Sequence, residues 1–204
     1  MIYITGDTHS DFSRFTEENF QIQSEMTKDD YIIICGDFGG VWTFEEESSR
    51  EKELLDWLGN KNFTTLFVDG NHENYTRLYN YPIEEWKGGK VHKIRDSVLH
   101  LMRGEIFDID NKQIFAFGGA KSHDIQDEIL NLDEEEIQNG ISNLEKVNYK
   151  VDYVISHCYP TSIQTLINST YKRDILTDYL QQISEKCTFK RWYFGHYHNY
   201  RHVN

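Results

Sequence analysis

The chain has 204 residues, three cysteines and a formal charge of −13. That length can close a core without staples, and an odd cysteine count lacking C-x-x-C spacing argues against a disulfide framework or a structural zinc site. No run approaches the ~18 apolar residues of a membrane span. The acidity opposes a nucleic-acid partner and suits divalent cations.

Met1–Thr5 is strand-like rather than a leader, so a cytoplasmic location is expected. Ser13–Ser24 predicts a helix and Tyr31–Cys35 a strand, with Cys35 an apolar filler. Phe44–Asn60 predicts a second helix, with Leu54, Leu55, Trp57 and Leu58 on its apolar side and Glu45–Glu47 solvated at its start. Thr64–Val68 predicts a third strand, and this β-α-β-α-β alternation implies a largely parallel sheet. From Val91 to Phe117 the pattern becomes hairpin-like, with strands at Ser97–Met102, Glu105–Asp110 and Gln113–Phe117 and a turn at Asp110-Asn111. Residues 120–136 predict an acidic surface loop that runs into a helix over Asp133–Val147, with Glu134–Glu136 in its first turn. Tyr153–Ser156 and Arg191–Phe194 predict strands, and Tyr171–Lys186 a helix. The expectation is one α/β domain over residues 1–204 with two sheets.

Five of these strands end alike. Met1–Thr5 runs into Gly6-Asp7-Thr8-His9, Tyr31–Cys35 into Gly36-Asp37, and Thr64–Val68 into Asp69-Gly70-Asn71-His72-Glu73. Tyr153–Ser156 runs into His157, and Trp192–Phe194 into Gly195-His196-Tyr197-His198. Ligands of open α/β sheets bind outside the carboxyl ends of the strands, so the clusters should converge. A D-x-H triplet alone is expected about 0.7 times by chance at this composition, and carries little. The ordered set, each member directly after an apolar strand, carries much more. Aspartate oxygen, imidazole nitrogen and amide oxygen together suit Mn²⁺, Fe or Zn²⁺, and two carboxylates with four histidines are enough for two ions. Glycine precedes the key residue in four clusters, where a tight turn or close backbone approach is wanted.

The series G-D-x-H, G-D, G-N-H-E, a later lone His and G-H-x-H resembles that of the calcineurin-like metallophosphoesterases. It extends from Gly6 to His198. The resemblance implies a two-sheet sandwich flanked by helices, with a dinuclear centre at the strand ends. It implies Asp7, His9 and His198 on one metal, and Asn71, His157 and His196 on the other. Asp37 is implied as the bridge and His72 as the acid that protonates the leaving oxygen. Spacing alone would have put both histidines of Gly195-His196-Tyr197-His198 on one ion. The implied reaction is phosphoester hydrolysis by a metal-bridged hydroxide. The implied cofactors are two divalent ions, manganese first, with iron, zinc or nickel as alternatives. Glu73 would orient His72 or a ligand, Cys158 would be a packed bystander, and His92, His100, His123 and His202 match no ligand position.

The family's protein phosphatases extend the second motif to G-D-x-x-D-R-G. Here it is Gly36-Asp37-Phe38-Gly39-Gly40-Val41-Trp42, without the arginine. Together with the Gly118–Ser122 loop, this looks more like a bacterial or phage branch of small enzymes. Small phosphodiesters or nucleotides are therefore the expected substrates, with Arg77, Arg103, Lys121 and His123 as basic groups within possible reach and Trp42 as a stacking surface if exposed. The alternatives are a protein phosphatase, a nuclease, and a binding scaffold that has lost catalysis.

Overall fold

A computed structural model describes residues 1–121 and 132–198. Strands β1 (Ile2–Thr5), β2 (Tyr31–Cys35), β3 (Thr64–Val68), β4 (Ile83–Trp86), β5 (Gly89–Arg95) and β6 (Val98–Leu101) form one sheet, in the order β1-β2-β3-β6-β5-β4. Strands β7 (Glu105–Ile109), β8 (Lys112–Phe117), β9 (Tyr153–Ser156) and β10 (Arg191–Tyr193) form the second, in the order β10-β9-β8-β7. Pairing is parallel from β1 through β6 and from β10 through β8; β5, β4 and β7 are antiparallel to their neighbours. The helices are α1 (Ser49–Gly59), α2 (Tyr75–Leu78), α3 (Glu134–Lys146), α4 (Thr161–Ile167) and α5 (Ile175–Lys186).

The layering follows from period-two side-chain alternation. On β2 and β3, Ile33, Cys35, Leu66 and Val68 face Phe107, Ile109, Ile114 and Ile155 of the other sheet. Ile32, Ile34 and Phe67 point the opposite way, onto Leu55 and Leu58 of α1. Strands buried on both faces must be apolar throughout, which is why Tyr31–Cys35 is an unbroken apolar run. On the outside of the second sheet, Phe115 and Phe117 pack with Leu144 of α3 and with Leu176, Leu180 and Ile183 of α5. The result is a helix–sheet–sheet–helix sandwich, as the sequence implied.

Several boundaries differ from expectation. Ser13–Ser24 is not an α-helix but two 3₁₀ turns, Ser13–Phe15 and Gln21–Glu25. Side chains there serve the backbone instead: Thr16 Oγ1 and Asn19 Nδ2 both donate to the Ser13 carbonyl. The second helix begins at Ser49, because Ser48 and Glu51 form a capping box; Glu45–Glu47 therefore precede it. The last helix begins at Ile175, capped by Asp174. Strand β4 and the short helices α2 and α4 have no counterpart among the elements expected from the sequence, and β5 corresponds only to the start, at Val91, of the hairpin-like pattern. The Asp110-Asn111 turn is as expected, with φ of 53° and 56°, the two left-handed positions of a tight hairpin. Ser122, His123 and His202 lie outside the described residues, as does most of the acidic stretch before α3.

Candidate metal centre

All eight candidate residues stand at one edge of the sandwich, beyond the carboxyl ends of β1, β2 and β3 in the first sheet and of β9 and β10 in the second. Two groups of donors form there: Asp7, His9 and His198, and Asp37, His157 and His196. In the first, His198 Nε2 is 3.0 Å from Asp7 Oδ2 and 3.1 Å from His9 Nε2. In the second, His157 Nε2 is 3.4 Å from Asp37 Oδ2 and 3.2 Å from Asn71 Oδ1, and the His157 and His196 ring centres are 4.9 Å apart. Asp37 Oδ2 also lies 3.6 Å from His9 Nε2, so this one carboxylate faces both groups. Donor atoms around a cation at ~2.1 Å stand roughly 3.0–3.5 Å from one another, so these spacings fit the ions that the donor chemistry suits.

Backbone cross-links build the cradle. The Thr8 and His9 amides donate to the Asp37 carbonyl at 3.1 and 2.8 Å, and the His196 amide donates to Asp7 Oδ1 at 2.9 Å. The His72 amide donates to Asp37 Oδ1 at 2.9 Å. Such approach leaves no room for a β-carbon: one on Gly70 would meet Asp37 Oδ1 at 2.0 Å, and one on Gly195 would meet Asp7 Oδ1 at the same distance. Gly6, by contrast, has open space around it, so its glycine is not explained by close approach. His9, Asp37, His196 and His198 all have φ between 44° and 68°, left-handed backbone that is uncommon outside glycine and that Asp and His adopt more readily than most side chains.

The electrostatics call for positive charge. Burial disfavours a charged imidazole at His157, but its hydrogen bond to Asp37 and the charges of Asp37 and Asp7 outweigh this and raise it to about 9. Its Nδ1 donates to the Cys35 carbonyl at 2.8 Å, which turns Nε2 toward Asp37 and Asn71. Burial likewise opposes charge on Asp37, yet His157 and the His72 amide hold that carboxyl well below the usual range. The first group is more open, with the His9 and His198 side chains 39% and 64% exposed, against 0% for His157.

His72 is exposed, its ring 5.4 Å from that of His9, and it lines a cleft of about 220 Å³. Asp37, Asn71, His196 and His198 also line the cleft, together with Tyr171 and Tyr197. The sequence marks Tyr197 only by its place between two histidines, and Tyr171 has no local signal. Trp42 is not among the lining residues; it is half-buried, and its amide donates to Glu51 Oε1 at 2.7 Å.

Other expectations need correction. Of the two roles expected for Glu73, its observed contact lies with a ligand strand end rather than with His72: it is buried, and its Oε1 accepts at 2.6 Å from the amide of Phe38, the residue after Asp37. Burial and then the Asp37 charge push Glu73 up to about 8. Arg77 and Arg103 are neither surface groups nor substrate contacts. Arg77 is buried against Glu51 at 2.7 Å, and Arg103 is buried against Asp69 and Glu136. Asp69 also accepts from His100 at 3.1 Å, and His100 stacks on His92, so both histidines are structural. Cys35 and Cys158 are buried free thiols, as expected. Arg14, not anticipated, holds the end of β1 by donating to Thr5 Oγ1 at 2.8 Å and to the Asp7 carbonyl at 2.9 Å.

A two-sheet α/β sandwich whose strand ends gather carboxylate and imidazole donors is the architecture of metal-dependent phosphoesterases. The chain belongs to the calcineurin-like phosphoesterase family, whose model matches residues 1–200. No curated protein and no solved structure matches it. Among the described residues no helix is long and apolar enough to cross a membrane.

Proposed function

We propose that the protein hydrolyses small phosphate esters, phosphodiesters or nucleotides in preference to phosphopeptides, with two divalent ions, Mn²⁺ the best of them. The observation that carries this reading is the position of Asp37, whose Oδ2 lies 3.6 Å from one histidine of the first donor group and 3.4 Å from one of the second. Asp7, His9 and His198 would hold one ion, Asn71, His157 and His196 the other, and Asp37 both. Bound divalent ions supply Lewis acidity toward phosphoryl oxygen and an activated water. His72, exposed and lining the cleft, donates the proton that the leaving oxygen needs as the P–O bond breaks. Its backbone is held through its amide to Asp37, and its ring meets that of His9 edge-on, which places the imidazole beside both donor groups.

The substrate preference rests on charge. No lysine or arginine is among the described residues that line the cleft, and Arg77 and Arg103 are committed to Glu51 and Asp69. A dianionic monoester, phosphopeptide and nucleoside monophosphate alike, would therefore depend on the ions alone, whereas a phosphodiester such as a cyclic nucleotide carries one negative charge fewer. For a mononucleotide, any preference over a peptide has to come from its base rather than from its charge. The test is elemental analysis of the purified protein, expected to give two ions per chain after Mn²⁺ loading. It is paired with kcat/KM for bis-p-nitrophenyl phosphate, a cyclic nucleotide and a phosphoseryl peptide under one metal condition. A tenfold advantage for the peptide, about 1.4 kcal/mol, would refute the preference.

A further inference from the structure

The cleft has two kinds of wall. Its donor side is polar, but Tyr171 and Tyr197 contribute two aromatic rings, with centres 5.4 Å apart and planes 42° apart. Tyr197 is fixed from behind: it stacks on Tyr159 at 4.2 Å and 26°, and Tyr159 in turn contacts Phe194 at 3.9 Å. His196 meets Tyr197 edge-on at 4.8 Å, so the aromatic wall adjoins a proposed metal ligand. Tyr171 comes from the connection between α4 and α5 and is half-buried. The adjoining ends of those helices leave Leu166 77% and Ile175 59% exposed. At about 220 Å³ the cleft is smaller than ordinary drug-sized pockets of ~300–1,000 Å³, so it suits a phosphoryl group and little more than one flat ring.

A small cleft, no lysine or arginine among its described lining residues, and two tyrosine rings define what the non-phosphoryl half of a ligand can gain. Sugar hydroxyls find few partners on such a wall, whereas a planar π-system stacks on it, as bases do on aromatic side chains. We propose that Tyr171, backed by Tyr197, recognises the nucleobase of a nucleoside phosphate, and so sets specificity for nucleotides over aliphatic phosphate esters. The inference rests on reading the cleft as a phosphate-ester site.

The test uses the non-hydrolysable methylene phosphonate analogues of AMP and of ribose 5-phosphate, titrated calorimetrically into the Mn²⁺-loaded protein. The wild type should bind the adenosine analogue at least about tenfold more tightly, equivalent to about 1.4 kcal/mol. Tyr171→Phe, which keeps the ring, should retain that ratio. Tyr171→Ala should bring the two affinities within about twofold, and Tyr171→Leu, which keeps apolar bulk, should do the same. A wild-type ratio near one, a ratio unchanged in both ring-less variants, or no binding of either analogue would overturn the proposal. Hydrolysis of bis-p-nitrophenyl phosphate is followed in parallel. A nucleobase preference that depends on Tyr171 without any ester hydrolysis would sink the phosphoesterase reading and leave the recognition wall standing.

Discussion

Replacing Arg103 with methionine should cost about 3–5 kcal/mol, the penalty for leaving one partner of a buried ion pair uncompensated. The setting is severe. The Arg103 and Asp69 side chains are 1% and 0% exposed, and Arg103 Nε donates to Asp69 Oδ2 at 3.0 Å while Nη1 donates to Glu136 at 2.8 Å. Burial disfavours charge on Asp69, and the Arg103 charge together with His100 is what holds its carboxyl well below the usual range. Without the guanidinium, Asp69 must take up a proton or remain a charge in an apolar core. Domains of this kind carry about 5–15 kcal/mol in all, so much of the stability would be lost. The melting point should fall by roughly 10 °C. Urea unfolding of Arg103→Met, Asp69→Asn and the double variant measures the coupling. Arg103→Met should cost about 2 kcal/mol less in the Asp69→Asn background, because the orphaned charge is gone. A single-variant cost under 1 kcal/mol, or additive effects, would refute the reasoning.

Asp37→Asn should lose both ions and more activity than Asp7→Asn, which should lose chiefly one; equal metal content in Asp37→Asn and the wild type, by elemental analysis, would remove Asp37 as the bridge. His72→Gln should keep both ions yet slow turnover, most for alkyl esters, whose leaving oxygen needs a proton more than a nitrophenolate does. An equal loss for alkyl and nitrophenyl esters would exclude His72 as the acid. Burial, with His100 stacked beside it, lowers His92 to about 4, against about 6.5 in an unfolded chain. Between those values the unfolded state binds a proton that the folded state refuses, so stability falls as pH drops from 6.5 toward 4, by up to about 3 kcal/mol. Acid titration of stability should be shallower in His92→Gln than in wild type across that window, and parallel curves would count against it.

The site was legible because its residues lie at strand ends, and those strands are short, apolar and β-branched. Tyr31–Cys35 and Thr64–Val68 match the structure to the residue. What was illegible is long-range pairing. Glu51 sits in a stretch of charged residues that suggests a solvated helix face, yet it is fully buried because Arg77, 26 positions away, meets it. Arg103 finds Asp69 across 34 positions, and nothing local marks either arginine as internal. Strand β4 was missed because it is an exposed edge, Ile-Glu-Glu-Trp, whose charges guard against unwanted pairing but conceal the strand pattern. Ser13–Ser24 is not an α-helix because its hydroxyl and amide side chains take the backbone's partners, and its apolar residues, Phe15, Phe20 and Ile22, lie five and two positions apart without an i,i+3 or i,i+4 pair to pack a helical face.

Each donor group draws on both sheets: Asp7 and His9 follow β1 but His198 follows β10, while Asp37 follows β2 but His157 follows β9. The contact between the His196 amide and Asp7 joins residues 189 positions apart. During synthesis, then, neither group can be completed until β10 has emerged and docked. Any ion captured by the first strands alone would be held by a fragment of its ligand set and would exchange freely. Complete donor sets exist only once both sheets have docked, so any ion these groups hold would be bound by the folded state and would stabilise it over the unfolded chain.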